Sequence, residues 1–286
     1  MKKPDAILTS DWHLREDQPT CRTDNFWEAQ WKKVAFIREY QLRYDCPVIH
    51  AGDLFHHWKP SPHLLSMAIE YLPEEFYTVY GQHDLPNHNL DLDHKSGIHT
   101  LLKAGKLQVI GVHWGQKPNQ SKVLRIKSKK IIIWHNFTYI GKEPFPGAKG
   151  KAFIKLKKYG KYDLIVTGDN HQSFYLYGDN GNLLVNPGNI TRQVADQINF
   201  KPKIYLWYAE SNTVEAIELP IETGVITREH IERKQKRDER IDAFVSKLNT
   251  DWNMSLNFED NLNKFFEKNR IRKQVKDIIY KAMDNE

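Results

Sequence analysis

Five short apolar runs in this chain each stop on a cluster of aspartate and histidine, and this repeat constrains the fold more than any other feature. "AILTS" runs into "DWH", "PVIHA" into "GDLFHHW", "FYTVY" into "GQHD", "KIIIW" ends at His135, and "YDLIVT" runs into "GDNHQ". Runs of this length, rich in β-branched and aromatic residues and ended by Gly or Asp, predict strands. Helical segments are expected between the first three, over 24–44 and 61–72. In the first of these, Phe26, Val34, Ile37 and Tyr40 approximate a 3.6-residue period. Strand alternating with helix predicts an α/β fold with parallel pairing and right-handed crossovers. In such a sheet, residues just past the carboxyl ends of different strands converge on one crevice.

After residue 120 the strands come closer together, "KVLRIKS" and then "KIIIWH", which predicts mixed or antiparallel pairing. A hairpin is expected across "SFYLYGDNGNLLVNPGN", turning at Asp179-Asn180-Gly181, followed by a β pair, "KIYLWYAE" and "TVEAIELPI". Beyond Thr227 the pattern is helical. "REHIERKQKRDER" is polar on nearly every face and predicts an exposed connecting helix. Phe244, Val245 and Leu248, and then Leu262, Phe265, Phe266, Val275, Ile278, Ile279 and Met283, recur at helical spacing. The domains expected are 1–200 for the site-bearing α/β part, 201–225 for a short β cap segment and 226–286 for a helical partner-binding region.

The 286 residues have an ordinary apolar and charged content, with no run of eighteen apolar residues and no apolar signal core behind "MKKPDAILTSDWH". Cys21 and Cys46 are the only cysteines, which excludes a disulfide framework. A cytoplasmic location is expected, the host cytoplasm if the chain is viral. The net charge of +6 is unevenly placed: between Lys117 and Lys161 thirteen Lys/Arg face the single acid Glu143. All histidines except His230 lie before position 172.

The strand-end groups have the composition of a dinuclear centre. Two ions about 3.5–4 Å apart clamp a phosphoryl group and acidify a water, and they need a shared carboxylate with imidazole and oxygen donors. Imidazole with carboxylate suits Mn, Fe or Zn better than Ca or Mg. Glycines at 52, 81 and 168 let the backbone turn tightly beside such ions.

The order DxH, GD, GxHD, H, GxxH over residues 5–192 resembles the calcineurin-like metallophosphoesterases. "GDLFHHW" and the "VNPGNITR" segment are similar to their DNA-repair nuclease branch, the SbcD-type exonucleases and phage recombination endonuclease subunits. The resemblance implies a β-sandwich flanked by helices, with a small β cap segment and a C-terminal helical appendage. It implies one metal held by Asp11, His13, Asp53 and His171, with Asp53 bridging to a second held by Gln82, His135 and Asp169. It further implies a catalytic His83–Asp84 dyad and a substrate-facing His56. Two positions depart from the pattern: Gln82 stands where the family has Asn, and Asp169 where it has a second His. An anionic oxygen in place of a neutral nitrogen favours harder ions, so the expected cofactors are two divalent ions, Mn2+ or alternatively Mg2+.

The basic segment mixes lysines with Phe137, Tyr139, Phe145, Phe153 and Tyr159. Cations that track phosphates and aromatics that stack on bases are what a nucleic-acid channel needs. Lys149, Lys151, Lys155, Lys157, Lys158 and Arg192 are the residues expected to contact DNA. The resemblance implies 3′–5′ exonuclease and single-strand endonuclease action, and an SMC-like ATPase partner (SbcC type) gripped by the C-terminal helices. It leaves a homodimer open. Two other readings stand beside it: a phosphatase or small-molecule phosphodiesterase of the same superfamily, and a non-catalytic DNA-binding scaffold for the ATPase.

Overall fold

A computed structural model describes residues 2–118, 123–250 and 258–283. They form two units, Met1–Thr227 and Arg228–Glu286. In the first unit β1 (Ala6–Thr9), β2 (Val48–His50), β3 (Phe76–Thr78) and β4 (Gln108–Val109) pair in parallel, with α1 (Phe26–Tyr44), α2 (Pro62–Tyr71) and α3 (Gly97–Lys103) as crossovers. Local chemistry sets the helix starts. Asn25 caps α1 by accepting from the Glu28 amide, and Ser61 caps α2 ahead of a proline at its first position.

A second sheet holds β5 (Leu124–Ile126), β6 (Lys129–Trp134), β7 (Leu164–Thr167), β8 (Phe174–Tyr177) and β9 (Leu183–Asn186), in the order β5-β6-β7-β9-β8. β6, β7 and β9 are parallel; β5 and β8 run antiparallel at the edges. The basic segment contains a helix, α4 (Ala152–Lys158). Its entry is pinned where the Tyr139 amide donates to the Gly150 carbonyl and the Ala152 amide to the Tyr139 carbonyl, and a β-carbon on Gly150 would meet the Phe137 carbonyl at 2.2 Å.

The two-residue alternation of strands sorts the core into layers. Ala6 and Leu8, Ile49, Ile131 and Ile133, and Leu164 and Val166 meet between the sheets. Ile7 and Val48 turn the other way onto α1 and α2, while Ile132, Trp134 and Ile165 turn onto α4. The result is a helix–sheet–sheet–helix sandwich, the mixed α/β class the pattern predicts.

Residues 201–225 do not form a cap. β10 (Lys203–Tyr208) pairs antiparallel with β1, and β11 (Thr213–Glu218) pairs with β10, so both extend the first sheet. The reason is burial: Ile204, Tyr205, Leu206 and Trp207 are all enclosed, and β1 offers them a ladder between apolar layers.

The second unit contains α5 (Glu229–Thr250), α6 (Phe258–Lys268) and α7 (Lys273–Met283). Where described, the side chains of α5 are almost all exposed, as its polar pattern predicts. Leu262, Phe265 and Phe266 on α6 pack with Ile271, Ile279 and Tyr280. The expected continuous stripe is interrupted at Arg270, which turns left-handed, and Ile278 is 67% exposed instead of joining the core. The side chains of Phe244, Val245, Leu248 and Met283 lie outside the described residues. Among the described residues no helix is long and apolar enough to cross a membrane.

Candidate metal centre

The loops after β1 and β2 stay paired beyond the strands, with Asp11 N bonding to Gly52 O and His13 N to Asp53 O, both at 3.0 Å. Asp11, His13, Asp53 and Asp169 all take left-handed backbone angles (φ 50°, 46°, 56° and 77°). Such angles are costly for side-chain-bearing residues and concentrate at functional sites. The glycines matter for closeness as much as for rotation. A β-carbon on Gly81 would lie 2.0 Å from Asp53 Oδ1, and one on Gly52 would lie 2.4 Å from His135 Nδ1.

Asp11, His13 and His171 form one cluster and Asp11, Asp53 and His135 another, each with ligand atoms within 4.8 Å of one another. His13 Nε2 and His171 Nε2 face each other at 3.2 Å. Asp53 is fully buried; its Oδ2 lies 3.6 Å from His13 Nε2 and 3.5 Å from His135 Nε2, the place expected of a bridge. Asp53 Oδ2, Asp11 Oδ2 and His13 Nδ1 are buried with no hydrogen-bond partner. Orphaned lone pairs in a dry pocket are costly unless a cation meets them, so this donor set fits divalent ions.

On the far side, His135 is oriented by the Ala51 carbonyl, which accepts from Nδ1 (2.6 Å) and aims Nε2 inward. Nε2 lies 2.7 Å from Gln82 Oε1, and Gln82 Nε2 donates to Asp169 Oδ1 at 2.7 Å. Gln82 and Asp169 therefore reach the centre, but Asp169 is absent from both clusters and its carboxylate is turned onto an amide.

Burial pushes the Asp11 carboxyl up to about 6 against the pull of His135 and His171. Burial would raise Asp53 too, but the imidazoles of His135, His13 and His83 outweigh it and hold it well below the usual range. Burial works against a charged His135, yet Asp53 and Asp11 raise it to about 10. Among the protein's own groups, a proton on His135 does what a cation would do.

His83 and Asp84 do not form a dyad. Asp84 accepts from the amides of Asp53 (2.8 Å), Gly81 (3.0 Å) and Phe55 (3.2 Å), stapling the loops after β2 and β3. His83 Nδ1 instead donates to the His56 carbonyl (2.9 Å), which presents Nε2 for proton exchange. His56 stacks on His83, and the two join His13 in a third cluster. Burial, and then Arg15, lower His56 to about 4.

Lys149, Lys151, Lys155 and Lys158 line a cleft of about 460 Å³ with Lys117, Trp134 and Asn136. Lys157 is exposed but outside it. Lys155 differs from the rest: it is buried, its ammonium sits 3.9 Å over the Trp134 ring, and burial lowers it to about 7 against the charge of Asp169. Arg192, expected on DNA, is buried, with its guanidinium donating to the carbonyls of Ile198 (3.0 Å) and Glu222 (2.5 Å). Sequence reasoning missed the Ala51 carbonyl and Gln193, whose amide donates to the His13 carbonyl at 3.3 Å. Neither carries a local signal, because both act through contacts made across the fold.

The Calcineurin-like phosphoesterase superfamily domain matches residues 6–202. No curated protein matches the chain. Among solved structures, Vacuolar Protein Sorting 29 from Cryptosporidium parvum is similar at 17% identity, over 76% of this chain and 97% of that one, with a TM-score of 0.38. A metallophosphoesterase from Sphaerobacter thermophilus is similar at 11% identity, over 76% and 89%, also at 0.38. Wild-type Vps29 from Entamoeba histolytica complexed with Zn2+ is similar at 12% identity, over 75% and 97%, at 0.33. Likenesses of this strength say nothing about activity. The family domain, however, covers β1 to β9 and with them every carboxylate and imidazole of the centre, and the chain belongs to the calcineurin-like phosphoesterase superfamily, whose chemistry is metal-dependent phosphoester hydrolysis.

Proposed function

We propose that this chain is a metal-dependent DNA nuclease of the SbcD-like branch, with 3′–5′ exonuclease and single-strand endonuclease action. The observation that carries this reading is the lysine-lined cleft, which begins at Asn136, the residue after His135, and at Lys155, which feels the charge of Asp169. A cationic cleft whose lining neighbours ligands of a phosphoesterase centre suits a polyanionic chain better than a small monoester.

Asp11, His13, Asp53 and His171 on one side and Asp53, Gln82, His135 and Asp169 on the other would hold divalent ions, which when bound would supply Lewis-acid activation of the phosphodiester and of water. Asp84 keeps the loops of Asp53 and His83 in register. His83, fixed through Nδ1, delivers a proton from Nε2 to the leaving oxygen. Lys155 offsets phosphate charge at the inner end of the cleft, and Lys149, Lys151 and Lys158 hold the backbone farther out. Exposed Phe145 and Phe153 in the same segment offer faces on which unpaired bases stack. On α7, the exposed Val275 and Ile278 give an SMC-like ATPase an apolar handle.

The test is Mn-dependent cleavage of linear DNA measured beside a generic phosphodiester and a phosphomonoester. DNA should be cleaved far faster than either, and Asp11→Ala and His171→Ala should abolish the reaction. Preference for the monoester removes the nuclease reading. One observation favours a second reading, a non-catalytic DNA scaffold: Gln82, His135 and Asp169 satisfy one another by hydrogen bonds. Chains prepared in Mn and retaining no metal would establish the scaffold.

A further inference from the structure

A second concentration of charge lies where the segment leading into α1 meets the loops at 192 and 220–222. Arg22, Lys33 and Arg192 are each buried. They line one pocket of about 100 Å³ with Asp24, Lys32 and Glu222, so four cations face two carboxylates. Asp24 engages Arg22 through both oxygens (2.7 and 2.5 Å). Glu222 lies 3.7 Å from Lys32 at the exposed rim. Arg192 and Lys33 meet only carbonyls: Arg192 those of Ile198 and Glu222, Lys33 that of Pro220 at 2.9 Å. Among the described residues neither forms an ion pair.

Carbonyl oxygens orient a cation but bring no net charge, and a buried charge without a counter-charge is costly. The titration of Lys33 agrees: burial lowers it to about 8, Arg22 and Arg192 push the same way, and the pull of Asp24 and Glu222 does not restore it. The lysine keeps N–H groups beyond the one given to Pro220, since an ammonium has three.

We infer that this pocket binds a tetrahedral oxyanion of the phosphate class, which supplies the negative charge that Asp24 and Glu222 leave unmet beside Lys33 and Arg192. The size agrees, because a water's share of liquid is about 30 Å³ and the cavity takes one phosphate group but no base or sugar. Guanidinium and ammonium donors together match phosphate geometry. The phosphate is either a free ion or the terminal group of a larger molecule entering past Lys32 and Glu222. The site needs no hydrolysis and stands whether or not the chain is a nuclease.

The experiment is thermal unfolding of the full chain in EDTA, titrated with inorganic phosphate against chloride at matched ionic strength. Wild type should gain Tm saturably, by about 3–5 °C at ten times the half-saturating concentration. Lys33→Met should lose that gain, while the cleft variant Lys151→Ala/Lys158→Ala keeps it. Phosphorus NMR line broadening read on the same three proteins gives the answer if Lys33→Met unfolds early. Oligonucleotides with and without a 5′-phosphate separate the sources: a gain specific to the phosphorylated strand and lost in Lys33→Met identifies a nucleic-acid end, and a gain with inorganic phosphate alone identifies the free ion. No saturable gain in wild type, an equal gain in Lys33→Met, or its loss in the cleft variant overturns the site.

Discussion

The two halves of the metal centre are built from similar residues and are satisfied differently. Around Asp11, His13 and His171, ligand atoms crowd together, with the two Nε2 atoms 3.2 Å apart and Asp11 Oδ2 and His13 Nδ1 left without partners. Around Gln82, His135 and Asp169, two contacts of 2.7 Å close a chain that holds together with a proton alone. The first half requires a cation to be comfortable, and the second tolerates one. The two departures from the family pattern, Gln82 and Asp169, both fall on the tolerant side, where the Gln82 amide spans the gap by accepting from His135 and donating to the Asp169 carboxylate.

Removing what the halves share should have the largest effect. Asp53→Asn takes the bridging charge from both, and phosphodiester hydrolysis in Mn should fall by about 1000-fold or more, since several kcal/mol of charge stabilisation goes with it. The halves then come apart by metal analysis. His171→Ala should empty the first half, whereas Gln82→Ala should leave one ion per chain and cost roughly 10–100-fold in activity, the scale typical of a supporting ligand. Equal losses of metal in the two variants would erase the asymmetry.

Asp84 tests the frame that holds both halves. Asp84→Ala strands three buried amides, and at about 1 kcal/mol or more each the variant should be less stable by about 3 kcal/mol, lowering Tm by roughly 6–12 °C. A loss of activity at unchanged Tm would instead restore the dyad role. The cleft meets only the second half, so Lys151→Ala/Lys158→Ala should flatten the salt dependence of DNA affinity by about two units of slope and leave hydrolysis of a small phosphodiester unchanged.

The subtlest probe is pH. His135 titrates near 10 in the protein against 6.5 for a free imidazole, so its contribution is complete below about 6.5 and is lost as pH rises toward 10. In EDTA, wild-type stability should decline across that interval relative to His135→Gln. In Mn the decline should shrink, because metal ligation needs the deprotonated ring. Identical pH curves with and without Mn would remove His135 from the ligand set.

Much of this was legible locally. The strands and the period of α1 follow from apolar spacing, and the positions of Asp11, His13, Asp53, His135 and His171 follow from their place just past strand ends. The misread residues share one trait: their roles depend on partners far along the chain. Arg192 looks like a surface cation until the carbonyls of Ile198 and Glu222 enclose it. Lys155 looks like its lysine neighbours until Trp134 lies beneath it.

By itself, then, the sequence determined which backbone segments become strands and which polar groups stand at their tips, because periodicity and turn chemistry act within a few residues. Tertiary structure alone decided that residues 203–218 complete the first sheet, that Asp84 braces amides rather than His83, and that Gln82 joins His135 to Asp169. Hydrogen bonding and desolvation depend on which atoms meet in space, and the spacing of residues along the chain does not fix that.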